Sequence, residues 1–105
     1  MVTQKQMDQL ISRIVDYCHP QQIILFGSYA GGRADENSDL DLLIIKETNE
    51  AIFERAAGIR KNLRDFIFPM DILVYTPSEI EKDKGRKFTF IHDILKSGKL
   101  LYAEK

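Results

Sequence analysis

Ile23-Ile24-Leu25-Phe26-Gly27-Ser28 and, ten residues further on, Asp39-Leu40-Asp41-Leu42-Leu43-Ile44-Ile45 are the stretches on which the reading of this chain turns. Ile23 to Phe26 is short, apolar and rich in β-branched and aromatic residues, which predicts a buried strand stopped by Gly27. A glycine at that pivot lets a ligand's oxygen atoms approach the backbone closely. Ser28 is placed as the N-cap of a short helical segment holding Tyr29 and Ala30. Free backbone N–H groups at such a helix start attract phosphate. Gly31-Gly32 ends the segment, and Asp35-Glu36-Asn37-Ser38 has the composition of a surface loop.

The second strand is expected to begin at Asp39. Side chains alternate across a strand, so Asp39 and Asp41 share one face while Leu40 and Leu42 share the other. Two carboxylates that close repel each other unless a cation sits between them. The run Phe68-Pro69-Met70-Asp71-Ile72-Leu73-Val74-Tyr75 supplies a third acid, Asp71, as a lone charge in another strand-like segment. Three carboxylates on neighbouring strands suit Mg²⁺, which prefers oxygen ligands and keeps positions for water and phosphate. No thiolate or histidine cluster in the sequence argues for zinc.

The segments between carry helical periodicity. Met7, Leu10, Ile11, Ile14, Val15 and Cys18 recur at steps of three and four, predicting a helix from about Thr3 to Tyr17, ended before Pro20. Ile52, Phe53, Ala56, Ile59, Leu63, Phe66 and Ile67 define a second helix, with Glu54, Arg55, Arg60, Lys61 and Arg64 facing outward. That helix joins the Asp41 strand to the Asp71 strand as a βαβ crossover, so those strands are read as parallel. Thr76-Pro77-Ser78 opens a charged helical turn that Gly85 interrupts. Phe88, Ile91, Ile94 and Leu95 mark a last helix ended by Gly98, and Leu100-Leu101-Tyr102 is short enough for an edge strand.

Composition sets limits on function. The 105 residues with 44% hydrophobic content suffice for one core, so residues 1–105 are expected to form one domain. A net charge of −1 disfavours steering to nucleic acid by a basic surface. The lone Cys18 reads as a small packed residue. No apolar run approaches the ~20 residues of a membrane span, and the amino terminus is polar, so a cytoplasmic location is expected. His19 and His92 receive no role. The basic residues from Lys82 to Lys87 alternate with acids and read as a solvated helical face. Tyr29 either lines a nucleotide pocket or packs under the turn. Arg33, just past that turn, is placed to clamp a phosphate oxygen.

Gly27-Ser28, the ten-residue gap, Asp39 and Asp41 at alternate positions and the later Asp71 resemble the nucleotidyltransferase superfamily with a DNA polymerase β-like catalytic domain. The chain is similar, more narrowly, to the minimal nucleotidyltransferases. This resemblance implies an α/β (α+β) fold: a small mixed sheet with helices mainly on one face, like the polymerase β palm. It implies ATP as substrate and two Mg²⁺ ions, with Asp39, Asp41 and Asp71 as catalytic and metal-holding residues. Gly27, Ser28 and Arg33 would bind the nucleotide. It further implies an antitoxin that moves AMP to a hydroxyl of its partner, a tyrosine of a HEPN-domain ribonuclease toxin, within a hetero-oligomer. Two other readings stand beside it: a non-catalytic antitoxin that masks its partner, and nucleotidyl transfer to a small molecule or an RNA end.

Overall fold

In the computed structural model, which describes residues 1–87 and 89–105, Phe88 of the expected last helix lies outside the described residues. The chain runs through α1 (Gln4–Cys18), β1 (Gln22–Phe26), α2 (Gly27–Ala30), β2 (Leu40–Ile45), α3 (Arg55–Asn62), β3 (Met70–Tyr75), α4 (Pro77–Asp83), α5 (Phe90–Ser97) and β4 (Lys99–Ala103). The strands form one sheet in the order β3-β2-β1-β4. β2 pairs with β3 in parallel and with β1 antiparallel, and β1 pairs antiparallel with β4. The sheet is therefore mixed, as expected, with the crossover through α3 and β4 at an edge.

Local chemistry starts most of the helices. Thr3 and Thr76 each close a capping box, with Gln6 and Glu79 reaching back to the cap backbone, so the first free N–H groups are satisfied. Thr89 caps α5 by accepting from the His92 N–H at 3.1 Å. α1 ends at His19, which takes left-handed backbone angles (φ 49°) just ahead of Pro20.

β2 is buried on both sides. Leu40, Leu42 and Ile44 join Ile23, Leu25, Ile72 and Val74 beneath Met7, Leu10 and Ile14 of α1 and Ile59 of α3. Leu43 and Ile45 join Ile24 and Phe26 on the opposite face, against Ile80 of α4 and Ile91 and Ile94 of α5. The longest helix and α3 thus form the main layer, and the shorter α4 and α5 cover part of the second face. Cys18 is half-buried and packs against the first core, and burial pushes its thiol pKa up. Tyr29 packs there too, and its hydroxyl accepts from the Val2 N–H at 3.2 Å, so it supports the turn from beneath. Among the described residues no helix is long and apolar enough to cross a membrane.

Four expectations need correction. The helix read from Ile52 to Ile67 is only Arg55–Asn62, and Ile52, Phe53 and Ile67 are exposed by 52%, 82% and 95%. The cause at its C-terminal end is long-range: Arg13 of α1 donates to the Asn62 carbonyl at 2.9 Å and holds Asp65 through two further hydrogen bonds. That closes the helix where local periodicity would carry it on. Arg55, expected to face outward, has a side chain only 9% exposed. It donates to both Glu79 oxygens and to the carbonyls of Glu50 and Val74, tying α3 to α4 around the end of β3. Ser28 is not an N-cap, because α2 already begins at Gly27 and Phe26 occupies the cap position. β2 and β3 begin at Leu40 and Met70, so Asp39 lies just before its strand and Phe68 and Pro69 lie outside theirs.

The Arg55–Glu79 pair gives a test of this clamp. Its hydrogen bonds from Arg55 hold the Glu79 carboxyl below its ordinary pKa of 4.5. A depressed native pKa contributes stability above the unfolded value that is lost as pH falls through the native one. Arg55→Ala is expected to cost about 2–3 kcal/mol at neutral pH, as a charged, buried hydrogen-bond set is removed. Urea titrations from pH 7 downward should show the difference from wild type shrinking below pH 4.5.

Candidate active site

The site is built outward from Asp41, the second residue of β2. In the antiparallel ladder it stands opposite Phe26, and in the parallel ladder it stands beside Asp71. Residues paired across strands point to the same face, so Asp71, Asp41 and Phe26 form one row across β3, β2 and β1. Asp39, two residues before Asp41, is exposed at the mouth of the strand. Partial burial raises the Asp41 pKa first, and the nearby charges of Asp71 and then Asp39 raise it further. Asp41 is thus the point where the electrostatic strain of the three acids is felt.

Gly27 closes against this carboxylate. Its φ is +75°, and a Cβ built on it would collide with the Asp41 Oδ2 atom. Both the backbone angle and the lack of room demand glycine. The glycine starts α2, whose cap residue Phe26 offers no side-chain hydrogen bond to the first turn. The leading N–H groups of a helix have no partner within it, so those of the Gly27–Ser28 turn lie beside Asp41 as donors. Among the described residues no hydrogen bond engages the Ser28 hydroxyl. Arg33 is tied back to this turn, its N–H donating to the Ser28 carbonyl at 2.9 Å. Its guanidinium lies 3.3 Å from where a Cβ on Gly31 would sit, and among the described residues it has no ion-pair partner.

Asp71 is half-exposed and carries an ion pair with Arg60 of α3, Nη2 to Oδ1 at 3.3 Å. Among the described residues no three acidic, histidine or cysteine side chains stand close enough to enclose one ion. The parallel register nevertheless sets Asp41 and Asp71 side by side. The acid donors in the row are carboxylate oxygens, which fit a hard divalent cation, and a cation there would offset the burial and the like charges that raise Asp41. The rings of Phe26 and Phe90 meet in an edge-to-face contact, centroids 5.7 Å apart. An open groove of about 970 Å³ between α1 and residues 65–68 is lined by none of the three aspartates.

The fold therefore brings Gly27, Ser28, Asp39, Asp41 and Asp71 to one end of one sheet face, while the Arg33 guanidinium lies against Gly31. Sequence reasoning missed two neighbours. Arg60 reads as an outward helix residue, and Phe90 as an unremarked residue in an amphipathic pattern. Neither carries a local signal of the site, since both arrive through tertiary contacts.

A family model described as polymerase beta, nucleotidyltransferase matches residues 8–105. Among solved structures, a protein of Sulfolobus solfataricus provisionally assigned as a nucleotidyltransferase is similar at 16% identity. That match has a TM-score of 0.67 and covers 95% of this chain and 79% of the other. A structure of a toxin-antitoxin with AMP-PNP is similar at 23% identity and a TM-score of 0.57, over 93% of this chain and 73% of that one. At these identities the structural likenesses establish the fold. No curated protein matches significantly.

Two substitutions test the geometry. Gly27→Ala is expected to cost about 1–2 kcal/mol through its left-handed backbone angle, and also to displace the Asp41 carboxylate. Thermal melts and nucleotide titrations followed by NMR should register both effects. Asp41→Asn should act oppositely on stability. A native pKa above the ordinary value of 3.8 favours folding at pH below that value, and the benefit is lost as pH rises through the native one. Removing the charge should therefore raise the melting temperature by roughly 1–4 °C at pH 7 in the presence of EDTA. The same change should abolish any metal-dependent nucleotide binding.

Proposed function

Because this chain belongs to the polymerase beta nucleotidyltransferase family, we propose that it transfers AMP from ATP to a hydroxyl of a partner protein. The partner is a HEPN-type ribonuclease toxin, the acceptor one of its tyrosines, and the chain serves as the antitoxin in a cytoplasmic complex. The observation that carries the reading is the row in which Asp71, Asp41 and the Gly27 turn meet on adjacent strands. The toxin-antitoxin with AMP-PNP that shares this fold supports the choice of partner and nucleotide.

In this reading the N–H groups of the Gly27–Ser28 turn and the Ser28 hydroxyl bind the β- and γ-phosphates, with Arg33 on an outer oxygen. Asp39 and Asp41 would hold one Mg²⁺, and Asp71 would join them in holding a second. When bound there, Mg²⁺ would supply positive charge to the phosphate oxygens and lower the pKa of the attacking hydroxyl. The carboxylate row orients the acceptor oxygen in line with the α-phosphorus. The new O–P bond forms as the bond to the bridging oxygen breaks, and pyrophosphate leaves beside the donors that held it. The acceptor's proton leaves to water on the open side of the sheet. Arg60, which neutralises Asp71 as it stands, must yield part of that carboxylate for the second ion.

The Arg60–Asp71 pair favours one alternative, an antitoxin that masks its partner without catalysis. Intact-mass spectrometry of both proteins after incubation with Mg²⁺ and ATP separates the two. Whole AMP units on the partner, absent with Asp39→Ala/Asp41→Ala, are the expected result, with a rate loss of at least about a hundredfold in the variant. An unchanged mass, together with a stable complex and reduced ribonuclease activity, would favour masking.

A further inference from the structure

Phe90 opens α5 and contributes little to the core beneath it. Ile91 and Ile94 are buried to 2% exposure, whereas Phe90 keeps 55%. What fixes its ring is the edge-to-face contact with Phe26, at 5.7 Å between centroids and 85° between planes. Phe26 in turn is opposite Asp41, so its ring and the carboxylate share a face. Contacts across that face run from Asp71 to Asp41 to Phe26, and Phe26 meets Phe90. One strand spacing and one ring separation keep Phe90 within about 10 Å of Asp41. That is the reach from an α-phosphate held at Asp41, across a ribose, to a nucleobase. With 55% of the residue exposed, much of Phe90 stays available to a ligand.

We infer that Phe90 is the platform on which the nucleobase of the bound nucleotide stacks. The inference rests on the reading of the Asp41 end of the sheet as a nucleotide site. Phe90 is then a specificity-determining residue of a particular kind. Every base has a π face, and a phenyl ring has no hydrogen-bond donor or acceptor. The site demands a base while choosing weakly among bases.

The test is a set of NMR titrations, which read affinities into the millimolar range, in excess Mg²⁺ with ATP, GTP and inorganic tripolyphosphate as probes. Phe90→Ala is expected to weaken ATP and GTP each by about tenfold, the worth of one base-aromatic stack, and to leave tripolyphosphate unchanged. Phe90→Leu keeps the apolar contact with Phe26 but lacks the aromatic face, so it should behave as the alanine variant does. Phe90→Trp should restore ATP binding. If tripolyphosphate binds and ATP affinity is the same in wild type and Phe90→Ala, the platform is overturned and the phosphate site stands. If wild type binds neither probe, the nucleotide-site reading falls and the platform with it.

Discussion

The register of β2 is the constraint on which the rest of this structure depends. Leu40, Leu42 and Ile44 fill one core while Leu43 and Ile45 fill the other, each worth about 1.5–3 kcal/mol on burial. Because side chains alternate with a period of two, a slip by one residue would turn Asp41 into the aliphatic layer beneath α1. An unpaired carboxylate there costs several kcal/mol. The same register sets Asp41 against Gly27 on one side and beside Asp71 on the other. Core packing and site geometry are thus one constraint, and neither can vary without the other.

The acids sit where this constraint relaxes. They occupy the starts of β2 and β3 and the residue just before β2, where Asp39 and Asp71 remain exposed while Asp41 is partly buried. Partial burial with two like charges nearby leaves Asp41 with a raised pKa. This is a cost in stability that a bound cation would turn into affinity. Perturbed carboxylates of this kind cluster at functional sites. Two arginines meanwhile hold the scaffold around the site: Arg13 closes α3 from α1, and Arg55 binds α3 to α4.

Much of the fold was legible in local patterns. The strand before Gly27, the strand carrying Asp41, the parallel crossover to Asp71 and the helices ahead of Pro20 and Gly98 all follow from periodicity and turn residues. The site was legible for a related reason, since its glycine and its alternating acids are close in sequence and their spacing mirrors the strand-turn-strand path. What local reading misjudged was α3. Ile52, Phe53 and Ile67 continue a helical pattern, yet the chain leaves the helix because Arg13, far away in sequence, binds the Asn62 carbonyl and Asp65.

The sequence by itself determined the strands, their faces and the residues that converge on the carboxylate row, because alternation and turn chemistry act over a few residues. Only the tertiary structure decided where α3 stops, that Arg55 is buried against Glu79, that Arg60 pairs with Asp71, and that Phe90 meets Phe26. Each of these joins segments well separated along the chain. The physical reason is that hydrogen bonds and ring contacts across such separations depend on how the layers close over one another, and no local periodicity records that.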